Sequence, residues 1–236
     1  FEFRPFGPRR GDASRLRGVL RLPDDASFPR RLPVIVHGPG WLGLADAPHY
    51  ARYHEAFVAH GFAVVAFDYA GFGQSDGVPG WLLPSAQIRD IQAAISTIHE
   101  RAILDRDRIG LFGMGGTGAG NALAAAARST GVRCVVAYHV VADGADWLRC
   151  MRTEREWHEF LSRVETDRVR REAGHPGEMV DPRTELMVAA PERRANAAKR
   201  EVDAKLPTRF HLASAADLLS YRPLDEIAKP AHMTSI

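Results

Sequence analysis

The chain has 236 residues, of which 45% are hydrophobic and 25% are charged, and its formal net charge is +2. This length and balance are typical of a soluble protein with one substantial core and, at most, a small appended unit. The weak net charge gives no reason to expect nucleic acid as a partner. No stretch approaches the roughly 20 apolar residues that span a bilayer, so we expect no membrane partner.

The first predicted elements alternate between strands and helices. Residues 15–22 alternate in part between polar and apolar side chains, as an edge strand does. Residues 33–37 and 62–68 are short unbroken apolar runs, which are typical of strands covered on both faces. Between them, a helix is predicted over residues 48–59, because Pro48 suits the first helical position.

The same alternation continues towards the middle of the chain. A long amphipathic helix is predicted over 85–102, a central strand over 108–112, an alanine-rich helix over 117–128 and another buried strand over 132–141. Strands that alternate with helices predict an α/β fold with a mostly parallel sheet and helices on both faces. Right-handed connections between such strands fix most of the topology.

The composition changes from about residue 143, where Arg, Glu and Ala become frequent. We predict a core domain over residues 1–142, a helical lid over 143–222 and a return to the core over 223–236. A charged helix over 192–203 is expected to present solvated faces. The residues after Pro230 have the pattern of a strand that the end of the chain cuts short. We therefore expect the C-terminal part of the fold to be missing.

The two cysteines, Cys134 and Cys150, do not have the spacing of a metal site. Cys134 lies in an apolar run and is predicted to be a small buried residue, whereas Cys150 falls in a polar helix. We favour free thiols in a reducing cytoplasm over a disulfide. We expect no metal and no cofactor.

The most informative segment is a glycine-dense turn between a predicted strand and a predicted helix. It reads G-M-G-G-T-G over residues 113–118 and resembles the nucleophile elbow of the α/β-hydrolases, G-x-S-x-G. The register that fits best puts Gly115 where that family has its serine and Gly116 directly after it. Because glycine has no side chain, Gly115 cannot attack a substrate.

Two further segments support the resemblance. His37 and Gly38 close a buried strand, as in the oxyanion loop of that fold. Residues 68–75 read D-Y-A-G-F-G-Q-S and resemble its D-x-R-G-x-G-x-S loop, with Ala70 where arginine is common. Each motif is weak alone, but their order and spacing over residues 15–142 identify the chain as a member of the α/β-hydrolase superfamily. The resemblance implies that the strand ending at Phe112 lies between its two neighbours.

The resemblance also implies an oxyanion hole made by two backbone N–H groups. Gly116 supplies one of them, but the other commonly comes from the residue after His-Gly, which is Pro39 here and has no N–H. Gly40 or Trp41 are the possible substitutes. In this fold the acid and the histidine of the triad follow the nucleophile, and we expect them beyond the strand that begins near Ala231. We therefore nominate neither.

The candidate site residues fall into two groups. The predicted catalytic residues are Gly115, Gly116, His37 and His139. The predicted substrate-binding residues are Gly40, Trp41, Tyr69, Phe72, Asp143 and Trp147. His37 usually braces the oxyanion loop, and His139, at a strand end, is either a core or capping residue or part of the site. Core packing explains Trp147 equally well. Asp143 and Asp146 are candidates to orient His139 or to balance its charge, and a helix cap is the alternative role for Asp146.

Other interpretations of the glycines stay open. Residues 113–118 also satisfy the dinucleotide pattern G-x-G-x-x-G, although two buried strands precede them and Asp143 comes late for the required acid. The glycines can also serve only a tight turn. Thr117 is expected to cap backbone N–H groups, with a nucleophilic role as the alternative, and Ser75 is expected to form a turn.

The resemblance implies an enzyme that acts on a small, partly apolar carbonyl compound, by hydrolysis of an ester, an amide or a C–C bond. Hydrolysis then needs a serine at position 115 or an activated water. Because Pro39 departs from the pattern together with Gly115, we favour a natural departure over an engineered one. A serine-free lyase, decarboxylase or cyclase and a non-catalytic ligand-binding protein stay open, as does a homodimer.

Overall fold

The computed structural model describes residues 2–3, 15–24, 29–41, 44–188 and 205–228. Within them, a six-stranded sheet has the order β1-β2-β4-β3-β5-β6. Its strands are β1 (Glu2–Phe3), β2 (Leu16–Arg21), β3 (Leu32–Gly38), β4 (Ala63–Phe67), β5 (Leu104–Met114) and β6 (Val132–Tyr138). A separate hairpin pairs β7 (Met179–Val180) with β8 (Phe210–His211).

The sheet is mostly parallel, as the sequence predicts. Strands β4, β3, β5 and β6 run parallel to one another, whereas β1 and β2 are antiparallel to their neighbours. Strand β5 lies between β3 and β6, so the predicted position of the central strand is confirmed. The prediction that residues 15–22 form an edge strand is wrong, because β2 lies between β1 and β4.

Three helices accompany the parallel strands. They are α1 (Pro48–Ala59), α2 (Pro84–Ile98) and α3 (Gly118–Ala127). Helix α1 has the predicted bounds. Helix α2 ends four residues earlier than predicted, because the N–H groups of residues 99–101 bond three residues back and close tight turns. No helix among the described residues is long and apolar enough to span a bilayer.

The region after β6 is mainly helical where the structure describes it. Its elements are α4 (Gly144–Arg149), α5 (Glu154–Glu172), a π-helical turn (Pro182–Leu186), α6 (Ser214–Leu219) and α7 (Pro223–Ala228). Thr153 and Glu156 form a reciprocal capping box at the start of α5. The predicted helix over 192–203 and the predicted strand after Pro230 lie outside the described residues. The bounds of the predicted lid stay a prediction.

The core is centred on β3, β4 and β5, whose inner residues are almost completely buried. Strand β6 differs, since Val136 and Tyr138 are 56% and 50% exposed. Among the described residues β6 has β5 on one side and no strand on the other, and its residues are exposed or only partly buried, so the prediction of a buried strand is wrong. Cys134 is consequently exposed rather than buried, and both cysteines are free thiols.

Candidate active site

The elbow lies between the end of β5 and the start of α3. Gly115 and Gly116 have φ angles of +67° and +50°, in the left-handed region. The Gly115 N–H donates to the Tyr138 carbonyl at 2.9 Å, and the Gly115 carbonyl accepts from the Gly118 N–H at 2.9 Å. A Cβ atom built on Gly115 meets no atom within 4 Å. A side chain at this position would therefore point into open space.

The other glycines of the turn are required by close packing. A Cβ atom on Gly113 would lie 2.6 Å from the Ala122 Cβ, and one on Gly118 would overlap the Pro39 carbonyl. These two positions thus allow the helix and the loop after β3 to approach the strand. This explanation does not apply to Gly115, where space for a side chain is present.

The loop after β3 lies directly against the elbow. The Tyr69 hydroxyl donates to the Pro39 carbonyl at 3.0 Å, and the Gly40 N–H donates to the Tyr50 hydroxyl oxygen at 2.7 Å. The structure thus brings the loop and the elbow together at the carboxyl ends of neighbouring parallel strands, where open α/β sheets bind ligands.

Trp41 lies on the rim of this crevice. Its partly buried indole covers Gly116, because a Cβ atom on that glycine would overlap the ring. The ring of Phe210 contacts it edge-on with centroids 6.1 Å apart, and the Arg183 guanidinium lies 4.8 Å from its ring centroid. Phe210 is 0% exposed and lies behind the Trp41 indole, so Trp41 is the member of the pair that stays partly exposed.

The side chain of His37 lies beneath the loop and is fully buried. Its Nδ1 is 2.9 Å from His54 Nε2, and its ring packs against Tyr50 and Phe112. Burial lowers the pKa of both histidines, that of His54 to about 4, so both rings are neutral at pH 7. This placement lets His37 brace the loop, while its side chain does not face the space above Gly115.

His139 follows the residue whose carbonyl binds the Gly115 N–H. It is exposed and has a φ angle of +60°, the one left-handed residue other than glycine in the described part of the chain. This conformation ends β6 three residues earlier than predicted. A strained backbone beside the elbow is compatible with a functional role, which stays a prediction.

Two predicted wall residues are buried beneath the crevice. Tyr69 is 0% exposed and Phe72 is 2% exposed. Tyr69 holds the Pro39 carbonyl, as described above, and Phe72 packs against Phe210 with ring centroids 5.7 Å apart. Both support the crevice from below, and neither presents an open apolar surface.

The start of α4 lies beyond His139. Asp143 is its N-cap, because its carboxylate accepts from the Asp146 N–H at 2.8 Å, and it pairs with Arg222 at 2.8 Å. The alternative that Asp146 is the cap is therefore wrong, since Asp146 lies in the first turn. Trp147 is partly buried and packs against the hydrophobic core.

Thr117 and Ser75 serve the structure in different ways. Thr117 is fully buried and donates to the Gln87 side chain at 3.2 Å without making a cap bond, so the cap prediction is wrong. Ser75 donates to the Asp68 carbonyl at 2.6 Å and accepts from the Arg17 N–H at 2.8 Å. This pair of bonds closes the loop, in line with the predicted turn role.

Sequence reasoning missed Tyr50, Arg183 and Phe210. Tyr50 lies within a predicted helix and has no motif around it, whereas the other two follow the elbow by more than 60 residues. No local pattern indicates their contacts with the loop. In the described ranges, no group of three or more His, Cys, Asp or Glu side chains could hold a metal ion.

Comparisons of the sequence with known proteins give a family and several relatives. The profile of the X-Pro dipeptidyl-peptidase (S15) family matches residues 12–220. The uncharacterized 31.7 kDa protein in the traX-finO intergenic region of Escherichia coli is 37% identical over 132 residues, which cover 55% of this chain and 45% of that protein. Quorum-quenching protein AidA of Acinetobacter baumannii is 34% identical over 113 residues, which cover 48% of this chain and 36% of that protein. The thiohydrolase aneE of Aspergillus aculeatus is 32% identical over 126 residues, which cover 53% of this chain and 37% of that protein. The chain thus spans less than half the length of these relatives.

Two solved structures share the fold. The α/β hydrolase GrgF from Penicillium sp. matches with a TM-score of 0.73 and 22% identity, covering 95% of this chain and 73% of that one. The hypothetical protein PA2218 from Pseudomonas aeruginosa matches with a TM-score of 0.74 and 22% identity, covering 96% and 72%. At this identity, the match establishes the fold alone.

Proposed function

Because the chain belongs to the X-Pro dipeptidyl-peptidase (S15) family of the α/β-hydrolase superfamily, we propose that it acts on a small, partly apolar carbonyl compound. The reaction class is hydrolysis of an ester, an amide or a C–C bond. The observation that carries this proposal is the elbow at Gly115, where a side chain would enter open space beside backbone N–H groups.

Three features support this substrate class. Gly116 has a backbone N–H at the position that binds a carbonyl oxygen in such elbows. The partly exposed Trp41 indole, which the buried Phe210 ring supports, offers apolar surface next to it. The thiohydrolase among the relatives supports a hydrolytic reaction.

The glycine at position 115 determines which group attacks the carbonyl carbon in hydrolysis. With glycine there, the attacking group is a water molecule, whose oxygen bonds to the carbonyl carbon while a base takes its proton. The proton then passes to the leaving group as its bond to the carbonyl carbon breaks. A serine at 115 would instead attack directly and form an acyl intermediate.

A second candidate is a serine-free lyase, decarboxylase or cyclase in the same crevice. It is favoured by the combination of Gly115 with a loop in which Pro39 has no N–H and the Gly40 N–H is bound by Tyr50. The nucleophile position and the second oxyanion-donor position of the family pattern are thus both altered. A non-catalytic ligand-binding protein is the third candidate, and it would be stabilised by its ligand without forming product.

The test compares Gly115→Ser with Gly115→Ala in the full chain, with p-nitrophenyl butyrate as substrate. Both variants place a Cβ atom at the same left-handed position, so the strain is matched. We expect a burst of p-nitrophenol from Gly115→Ser and none from Gly115→Ala. A folded Gly115→Ser protein without a burst would count against a serine-hydrolase site that lacks only its nucleophile, and it would favour the serine-free candidate.

A further inference from the structure

The π-helical turn of the helical region contacts the loop after β3 through one side chain. Arg183, the second residue of this turn, has its guanidinium carbon 4.8 Å from the centroid of the Trp41 ring. The Cδ1 edge of the same ring covers Gly116. The guanidinium group therefore lies one indole ring away from the elbow.

The backbone that carries Arg183 is fixed by hydrogen bonds within the turn. The Asp181 carboxylate accepts from the N–H groups of Arg183 and Thr184 at 2.7 Å and 2.9 Å. The Asp181 N–H in turn donates to the Glu185 carboxylate at 2.7 Å. π-helical turns are rare and occur frequently at functional sites. This one holds a cationic side chain in a defined place beside the crevice.

Two arginines of the helical region hold the same turn from the other end. Arg152 donates to the carbonyl groups of Glu185 and Leu186 at 2.6 Å and 2.8 Å. Arg163 pairs with the carboxylate of Glu185 at 2.7 Å and also with that of Glu178. The acidic groups of the turn are thus bound by N–H groups and by an arginine of α5, which leaves the turn a rigid support.

The chemistry of a stacked guanidinium group favours an anionic ligand. Arg183 and Trp41 are both partly buried, so each keeps some surface at the rim of the crevice. A guanidinium group over an aromatic face has its five N–H donors at its own edge, in a fork that fits the two oxygens of a carboxylate. Such charge-assisted pairs are stronger than neutral hydrogen bonds, and partial removal from water strengthens them further.

We infer that Arg183 and Trp41 form a binding site for a carboxylate of the substrate, which is then an ester or amide with a carboxylate at the far end of its acyl chain. The inference rests on the proposed function, because it names the substrate class of the same crevice. The reactive carbonyl group lies at the elbow, the apolar part of the acyl chain crosses the Trp41 indole, and the carboxylate pairs with Arg183. Arg183 determines specificity and takes no part in bond breaking.

The first test measures binding to the unmodified protein and needs no activity. The ligands are the monomethyl esters of succinate, glutarate and adipate, each compared with the neutral methyl ester of butyrate, valerate or hexanoate, which has a methyl group in place of the carboxylate. Calorimetry measures the affinities, and the nitrogen-15 signal of the Trp41 indole, assigned by its absence in Trp41→Phe, locates the ligand. We expect the anionic ester of best length to bind roughly 10- to 100-fold more tightly than its neutral counterpart, with a smaller advantage in high salt. Equal affinities within all three pairs, or anion binding that leaves the Trp41 signal unmoved, overturn the inference.

The second test assigns the preference to Arg183. Arg183→Gln removes both the charge and the fork, whereas Arg183→Lys keeps the charge alone. We expect the preference for the anionic ester to disappear in the first variant and to fall partly in the second, with thermal unfolding as the check that both are folded. Arg149→Gln is the control, because Arg149 is an exposed arginine of the same helical region and pairs with Glu154 at 3.1 Å. A preference that is undiminished in either Arg183 variant, or lost equally in Arg149→Gln, contradicts the assignment.

The third test separates the inference from the proposed function. In the Gly115→Ser background, hydrolysis of the best-binding monomethyl ester and of its neutral counterpart is followed by methanol release. We expect a higher kcat/KM for the anionic ester, and we expect Arg183→Gln to lower the ratio of the two values by roughly 10-fold or more, mainly through KM. If Gly115→Ser hydrolyses neither ester while the binding preference persists, the serine-hydrolase proposal fails and the carboxylate site stands. If both esters are hydrolysed with equal kcat/KM, the carboxylate site fails and the hydrolytic proposal stands.

Discussion

Asp90 is a buried carboxyl group whose charge should control the stability of the protein. It lies on α2, is 3% exposed and accepts the Ala70 N–H at 3.0 Å. The α/β-hydrolase loop pattern commonly has arginine at position 70, whereas alanine brings no cation to this carboxylate. Burial raises the pKa of Asp90 from 3.8 to about 7, although the Ala70 N–H and Arg89 act in the opposite direction.

The raised pKa of Asp90 sets the direction in which its contribution to stability changes with pH. In the unfolded chain the carboxyl group loses its proton near pH 4, but in the folded protein it retains the proton up to about pH 7. At this group the folded state thus binds more protons between these values, and the contribution of Asp90 to the free energy of unfolding falls as the pH rises from 4 to 7. A shift of about 3 units corresponds to an upper limit of about 4 kcal/mol.

The variant Asp90→Asn removes the charge and keeps an oxygen for the Ala70 N–H. We expect it to match the parent protein near pH 4.5 and to be more stable by roughly 1–3 kcal/mol at pH 8, after the cost of its buried N–H₂ group. Urea denaturation at both values measures this difference, with the exposed Asp107→Asn as the control. A difference between Asp90→Asn and the parent that is the same at both values would refute the reasoning.

Three other variants probe the site. Because burial lowers the pKa of His54 to about 4, the contribution of His54 to stability should be lost as the pH falls from 6.5 to 4, opposite in sign to that of Asp90, and His54→Gln should remove this contribution in acid denaturation. Gly116→Ala should unfold more easily than Gly174→Ala by about 1–3 kcal/mol and change tryptophan fluorescence, because both positions have positive φ but only the first meets Trp41. Asp143→Ala should cost about 1 kcal/mol in thermal unfolding through loss of the α4 cap, and no loss would contradict that role.

The fold could be predicted well where hydrophobic patterns are unambiguous. Strands β3 and β4 are apolar runs that the core covers on both faces, and α1 begins at a proline. Strand β6 was also predicted to be buried, because its residues form an apolar run. The exposure of these side chains depends on which elements pack against the strand, and a local pattern does not contain that information. The end of β6 depends on the left-handed conformation of His139, which its residue type does not indicate.

The site could be predicted only in part. The glycine pattern correctly indicated a tight turn from strand to helix next to the loop after β3, but not which of its glycines, Gly115 and Gly116, have left-handed φ angles. The partner of the Gly40 N–H could not be predicted, because Tyr50 reaches it from a neighbouring helix and not through a motif. The hydroxyl of Thr117 was expected to cap its own helix, but tertiary packing gives it the Gln87 side chain instead.

The central claim is that position 115 is the nucleophile position of a carbonyl-binding crevice. A fluorophosphonate probe tests it most directly, because it reacts covalently with an activated serine and leaves its phosphorus on that residue. We expect Gly115→Ser to take up one label, mapped by peptide mass spectrometry to residue 115, and Gly115→Ala to take up none. A folded Gly115→Ser protein that stays unlabelled, or that is labelled at another serine, would contradict the claim.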